Sequence, residues 1–513
     1  MGVKTDEGEV LTLVDRMTHH TTTGLSTIEI SSKNAAKLND EFKKFFNTSG
    51  LKYKSYVLQG NEDHIESLKA LLEKHDIKFG NASTGKVSGY SYADASSGSL
   101  NTTSKDLVVS TNQPKGKMIK ALFEPDGKLS DSLTYDITAW SMPYAYGLNA
   151  IASTSLINSN APVSPEKVPA ISNGYGYVSD WNSMKDAKFL ADLIKQKMKV
   201  RFTEKPLYQN GATFERGSLI ILKGDNKHIE DFYGALNNTA QQHNQPLTAI
   251  SSGFSDRVPD LGSPDIKLVN HQKIALLSGN GTSSLSYGAL WHFFEQQLKY
   301  PVTSISTDDL NGVNLDKYDV IIFPSGWYGR VINDQHLDAL KSWVRKGGKV
   351  IAIDRALGTF AGKDGFSLKN NESEDSEEKE DDNLIPYAER EREYARQLIT
   401  GAVFKTKVDN THPLAFGYSD TYFTLKLGSS SYSLLDSGYN VAHIGENPVK
   451  VSGFAGTDAI KKLPNSLVFG EERLGRGSMI YMVDNTMFRS FWENGKLFLV
   501  NAIFFVNNNA FQL

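Results

Sequence analysis

The stretch Val320-Ile321-Ile322-Phe323-Pro324-Ser325-Gly326-Trp327 decides the fold class of this 513-residue chain. Four apolar residues stopped by Pro-Ser-Gly read as a short strand buried on both faces and ended by a tight turn. The same pattern recurs on either side. Upstream, Ile274-Ala275-Leu276-Leu277 is an apolar run followed by the loop Gly279-Asn280-Gly281-Thr282-Ser283-Ser284. A helical pattern over 287–299 and a strand over 302–305 come next. Downstream, a helical pattern over 336–346 leads into Gly347-Gly348-Lys349-Val350-Ile351-Ala352-Ile353-Asp354-Arg355, another apolar strand with a polar stop. Strands alternating with helices predict a parallel sheet covered on both faces.

These segments resemble a class I glutamine amidotransferase-like domain of flavodoxin-like α/β type. Val320 to Gly326 resembles the strand and oxyanion loop of that fold, and Gly347 to Arg355 the strand leading to its nucleophile elbow. Active members carry a Cys at the elbow. Here the elbow falls near Asp354-Arg355, and the chain has no cysteine. With no thiolate to attack an amide carbon, glutaminase chemistry is excluded. The resemblance implies a degenerate domain kept for packing or binding. A site of another kind would use the strand ends, where open α/β sheets hold ligands. Its candidates are Ser278, Asn280, Ser325, Trp327, Asp354 and Arg355.

Outward from this region the chain divides into three expected domains, 1–150, 151–265 and 266–513, an α/β multi-domain protein with smaller αβ modules before the parallel sheet. Residues 8–47 read as one or two helices broken by a Thr-rich turn at Thr21 to Thr23. Ile28, Ala35, Leu38, Phe42 and Phe45 lie on helical spacing. Residues 83–104, rich in Ser, Gly, Thr and Tyr, suit a loop or hairpin. The tyrosines Tyr90, Tyr92, Tyr144 and Tyr146 suit core packing, with an exposed ligand-binding surface as the alternative. Within 266–513 an acidic loop near 368–384 carries eight acids and one lysine between Glu372 and Asp382, and its composition predicts disorder.

The formal net charge is −4; that loop alone carries −7, which leaves the remainder about +3. No basic face for nucleic acid is expected. No run of 18 apolar residues occurs, so no membrane span is expected. The absence of cysteine removes disulfides, thiolate zinc sites and Cys nucleophiles. There is no His-Glu-x-x-His, no Gly-x-Ser-x-Gly elbow and no phosphate loop. His-x-x-Glu occurs at His292/Glu295 and His443/Glu446, but a catalytic zinc needs a third ligand, and none can be assembled. His19 and His20 would point about 100° apart on a helix, so they do not chelate one metal. The Gly279 to Ser284 loop reads as a plain strand–helix turn whose N–H groups could meet an anion.

Longer stretches resemble the region downstream of the catalytic domain in large bacterial zinc carboxypeptidases related to carboxypeptidase A. They are Leu11-Thr12-Leu13-Val14-Asp15-Arg16-Met17-Thr18-His19-His20, the segment 131–140, the segment 258–264, Ser284-Leu285-Ser286-Tyr287-Gly288-Ala289-Leu290-Trp291-His292-Phe293-Phe294-Glu295, and Asp409-Asn410-Thr411-His412-Pro413-Leu414-Ala415-Phe416-Gly417. The resemblance implies that zinc, its ligands and the catalytic Glu belong to a peptidase domain N-terminal to this region. No catalytic or metal-binding residue and no cofactor carries over to this chain. It implies an accessory region that packs on that domain or shapes access to its cleft, in an exported, extracytoplasmic protein. The alternatives are a peptide- or glycan-binding module and a separate hydrolase at the strand ends.

Overall fold

A computed structural model describes residues 2–127, 137–163, 167–371 and 385–507. The acidic stretch 372–382 lies outside these residues, as does 131–136 of the segment that carries the carboxypeptidase resemblance.

After a short antiparallel ribbon of Gly2–Lys4 with Val10–Thr12, the chain makes two successive helices, α1 (Leu13–Lys33) and α2 (Ala35–Phe45), neither of which buries a residue. Thr12 caps α1 by exchanging hydrogen bonds with Asp15, a capping box. The turn expected at Thr21 to Thr23 does not form, and α1 runs through it. The Thr18 and Thr27 hydroxyls bond back to the carbonyls four residues earlier, so β-branched polar residues ride within the helix. The break falls at Asn34 instead.

The first sheet contains β1 (Ser55–Gln59), β2 (Gly80–Asn81), β3 (Gly85–Ser91), β4 (Ser96–Thr102), β5 (Leu107–Ser110) and β6 (Asn149–Ser153) in the order β2-β5-β1-β6-β3-β4. Segment 83–104 is thus the hairpin β3–β4. Helices α3 (Glu62–Lys74) and α4 (Gly116–Phe123) bury Ile65, Leu68, Leu72, Ile119 and Phe123 in the core of this unit. Tyr92, Tyr144 and Tyr146 belong to the same core. The Tyr144 hydroxyl donates to the Tyr92 carbonyl at 3.0 Å and that of Tyr92 to Phe123, so these rings pack inward and offer no exposed aromatic platform.

The second sheet has five short strands, β7 (Gly176–Ser179), β8 (Arg201–Thr203), β9 (Leu219–Leu222), β10 (Thr248–Ile250) and β11 (Ile266–Leu268), ordered β10-β7-β9-β8-β11. Helices α5 (Met184–Lys195) and α6 (Phe232–Gln242) carry its apolar contacts.

The third sheet has ten strands. Four parallel strands come first, β12 (Ile274–Ser278), β13 (Thr303–Ser306), β14 (Val320–Phe323) and β15 (Lys349–Ile353). The chain then makes β16 (Gly401–Val408), β17 (Thr421–Lys426), β18 (Tyr439–His443), β19 (Val449–Phe454) and β20 (Leu467–Leu474). It returns as β21 (Gly477–Met482), parallel to β15. The parallel strands lie in the order β13-β12-β14-β15-β21. Numbered along the chain this is 2-1-3-4-5, the flavodoxin-like doubly wound order. The expected α/β class is therefore present. The antiparallel extension β20-β18-β16-β17 on the same sheet, with β19 paired to β16, is not part of the sequence expectation.

Alternate residues of the parallel strands serve two cores, as strand geometry requires. Ala275, Leu277, Ile321, Phe323, Val350 and Ala352 face α8 (Asp334–Arg345) through its Leu337, Leu340, Trp343 and Val344. Ile274, Leu276, Val320, Ile322, Ile351 and Ile353 share the other core with α5, with α7 (Ser284–His292) and with the closing helix α9 (Lys496–Phe504). All nine residues of α9 are buried. Val403, Leu425 and Val451 join the core of the first unit, so apolar packing ties the first and third sheets together.

Candidate functional site

The C-terminal ends of the parallel strands bring polar groups to one edge of the sheet. Ser325 follows β14, Asp354 follows β15 and Asp484 follows β21. The Ser325 hydroxyl donates to Asp354 Oδ2 at 2.7 Å. Asp484 accepts from Thr424 Oγ1 at 2.6 Å and from Lys426 Nζ at 3.0 Å, both on β17. These last three side chains are buried. Asp354 has φ +53°, the left-handed region that Asp tolerates better than most residues, at the sharp turn from strand to helical turn. Burial pushes its carboxyl above the ordinary carboxylate range. The Ser325 hydrogen bond opposes that shift and the negative charge of Asp484 adds to it.

The six residues expected here separate into smaller groups. Ser325 and Asp354 meet. Trp327 and Arg355 meet on the outside, with the guanidinium 5.5 Å from the centre of an indole that is 71 % exposed. Ser278 is tied to the neighbouring strand: its hydroxyl donates to the Ile305 carbonyl at 3.1 Å and accepts from Ser304 at 3.0 Å. The Asn280 side chain is exposed, while its carbonyl accepts from Thr307. Sequence reasoning missed Asp484, Lys426 and Thr424. Asp484 carried a signal, because it ends the apolar strand Met479 to Val483 as Asp354 ends Val350 to Ile353. Lys426 carried none.

The Gly279 to Ser284 loop makes the turn from β12 into α7. Two of its N–H groups are used locally, Thr282 donating to the Gly279 carbonyl and Ser283 to that of Ser325, and the Trp327 N–H returns a bond to the Gly281 carbonyl. Gly281 and Gly326 allow this close lacing. A Cβ on Gly326 would sit 2.2 Å from the Gly281 carbonyl, and one on Gly281 2.8 Å from the Trp327 carbonyl. The Ser325 N–H goes to the Ser286 hydroxyl. The cavity bounded by Asp354, Lys426 and Asp484 is about 10 Å³, room for one water at most. Ser325 hydrogen-bonds to a carboxylate rather than an imidazole. With Asp484, Thr424 and Lys426 it belongs to a hydrogen-bonded polar cluster at the strand ends.

The His-x-x-Glu pairs do not assemble a metal centre. His292 Nδ1 lies 3.3 Å from Ser490 Oγ, and no group of three or more ligating side chains occurs among the described residues. No described helix is long and apolar enough to cross a membrane.

No protein-family model matches the sequence, and no curated protein matches it. Solved structures resemble part of it at low identity. A ThuA-like protein of Bacteroides uniformis is 11% identical over 45% of this chain and 89% of its own, with a TM-score of 0.28. A GMP synthase-like protein of Thermoplasma acidophilum is 11% identical over 45% and 95%, also at 0.28. A β-galactosidase of Bacillus circulans is 11% identical over 44% and 30%, at 0.25. At such scores the fold class rests on the strand order and register, not on these neighbours.

Proposed function

We propose that this chain is the non-catalytic accessory region of a zinc carboxypeptidase-like protein, packing on or modulating the peptidase domain in an extracytoplasmic setting. The observation that supports the reading most is the state of α1 and α2. The stretch Leu11 to His20, which resembles the carboxypeptidase group, supplies the N-cap Thr12 and the start of α1 from Leu13. Leu13, Val14, Met17, Leu25, Ile28, Leu38, Phe42 and Phe45 are all exposed there. A helix pair with so many bare apolar side chains needs a partner to be stable. The closed cluster at the strand ends agrees with a region that carries no chemistry of its own.

The test is complex formation with a catalytic domain of the carboxypeptidase A type from such an enzyme. A 1:1 complex on gel filtration, lost in Phe42→Asp/Phe45→Asp, is the expected result. Zinc-dependent release of C-terminal residues by this chain alone, abolished by His292→Ala or Glu295→Ala, would overturn the reading. A second reading, a separate hydrolase at the strand ends, draws on the Ser325–Asp354 hydrogen bond. It requires turnover that Asp354→Ala removes.

A further inference from the structure

A second concavity lies where the three sheets meet, away from the strand ends, with a volume of about 360 Å³. That is at the lower end of small-molecule sites. Four amide side chains surround it, from Asn61 at the start of α3, Asn149 at the start of β6, Asn182 before α5 and Asn494 before α9. Lys405 on β16 supplies the cation and Phe423 on β17 an apolar wall. No acidic residue lines it.

The walls are held in place. Asn61 Oδ1 accepts from the Asp63 and His64 N–H groups, and its Nδ2 donates to Asn182 Oδ1 at 2.7 Å. That fixes the Asn182 amide and leaves its own N–H₂ for a ligand. Asn494 packs on Gly147, which has φ +61°. A Cβ there would lie 2.3 Å from Asn494 Oδ1, so only glycine leaves the amide its place. Lys405 Nζ donates to the Ala93 carbonyl at 3.1 Å and has no acidic partner among the described residues. Two of its three N–H donors remain. The acids adjacent to lining residues are engaged elsewhere: Asp63 by Lys185 at 2.8 Å, Glu493 by Lys496 at 2.5 Å, Asp94 by the Ser91 hydroxyl at 2.8 Å and Asp420 by the Thr421 hydroxyl at 3.2 Å. His64 also lines the cavity, and its Nδ1 is shielded from solvent with no hydrogen-bond partner. Burial lowers the His64 pKa, while the charges of Glu493 and Asp63 and a hydrogen bond to the Tyr146 backbone act the other way.

Amides both donate and accept, which suits hydroxyl groups. One uncompensated ammonium suits one carboxylate, and an aromatic face suits a sugar ring. We infer that this cavity binds a sugar acid of the hexuronic type, with its carboxylate on Lys405 and its hydroxyls on the Asn149, Asn182 and Asn494 amides. The site is independent of the helix pair α1–α2 and of any docking there.

The test is calorimetric titration of the full chain with sodium galacturonate, sodium glucuronate, galactose and N-acetyl-dialanine, each to about 20 mM, a range that captures weak millimolar binding. The expected result is saturable 1:1 binding of at least one uronate, with galactose and the dipeptide at least about tenfold weaker, the weight of one charge-assisted bond. Lys405→Met should lose about tenfold for the uronate. Asn149→Ala, at an exposed position, should weaken binding severalfold with an unchanged melting temperature. No saturable binding of either uronate overturns the inference. So does equal affinity for galactose and galacturonate, or a preference for the dipeptide, which would make the cavity a peptide-carboxylate site. Unchanged uronate affinity in both variants likewise sinks it.

Discussion

Asp354 follows β15 at the strand-end cluster, and its environment makes it a measurable group. Its folded pKa is raised above that of an unfolded Asp, with burial the main cause. A raised carboxyl contributes stability that is present below the unfolded value, near 4, and is lost as pH rises through the folded value. Asn keeps the tolerance for left-handed backbone and an acceptor for the Ser325 hydroxyl, and removes the charge. Asp354→Asn should therefore match the parent near pH 4 and exceed it at pH 7 by on the order of 1 kcal/mol, a common size for one substitution. Asp354→Ala should lose about 1 kcal/mol or more at every pH, because alanine resists φ +53° and leaves Ser325 unpaired. Urea melts at several pH values check both. A parent that gains stability relative to Asp354→Asn as pH rises would refute the account.

Lys349 gives the opposite sign. It opens β15 fully buried, its Nζ donating to the Ile503 carbonyl at 2.8 Å. Burial lowers its pKa to about 7, while the charges of Glu471 and Asp319 act the other way. The unfolded chain then binds more protons than the folded one between about pH 7 and the ordinary lysine value near 10.4, so stability from this group rises with pH across that window. Lys349→Met should be most stabilising relative to the parent at pH 6, and that advantage should shrink toward pH 9. The same melts report it, and a constant difference from pH 6 to 9 would contradict the assignment.

At the scale of elements, legibility followed burial. β12, β14 and β15 are covered on both faces and read as continuous apolar runs. The antiparallel strands β16, β17 and β18 mix buried residues with partly or fully exposed ones, and their partners lie far away in sequence, so local pattern could not place them. The site was legible as strand ends but not as contacts. Asp484 reaches the neighbourhood of Asp354 only because β21 returns beside β15 after the antiparallel excursion. The helices α1 and α2 were legible by periodicity, but their apolar residues stand exposed. With no buried residue and few contacts to the body, such as Lys117 over the Phe45 ring, these helices gain little from packing in the isolated chain, and helices with little packing are marginal in water. Amides of 13–45 should exchange with little protection while those of β12, β14 and β15 persist. Trypsin should cut first at Arg16, Lys33 or Lys37 and leave the body intact. Docking of a peptidase domain should protect the same amides. Strong protection in the isolated, monomeric chain would mean that the pair is stable without a partner and would remove its value as a docking signal.

At the scale of the molecule, the second and third sheets share an apolar core and are also joined by one buried amide. Asn501 on α9 donates from Nδ2 to the carbonyls of Leu414 at 3.0 Å and Phe416 at 2.8 Å, and its Oδ1 accepts from Trp181 Nε1 at 2.8 Å. Trp181 enters from the second unit and also packs its ring on Phe505, 4.6 Å between centroids. The polar atoms of this junction are paired, so breaking it strands buried polar groups. Asn501→Leu keeps the volume close but leaves one N–H and two carbonyls without partners. It should lower stability by about 3 kcal/mol, several stranded groups at about 1–3 each with partial relief by water. Trp181→Phe strands only the Asn501 oxygen, but it also shrinks a buried ring. It should cost about 2 kcal/mol, and the double variant should cost less than the sum, because both remove the same bond. A double-variant cycle by urea denaturation measures the coupling directly. Strict additivity would mean that the Trp181–Asn501 bond contributes nothing, and the two units would then be held by apolar contact alone.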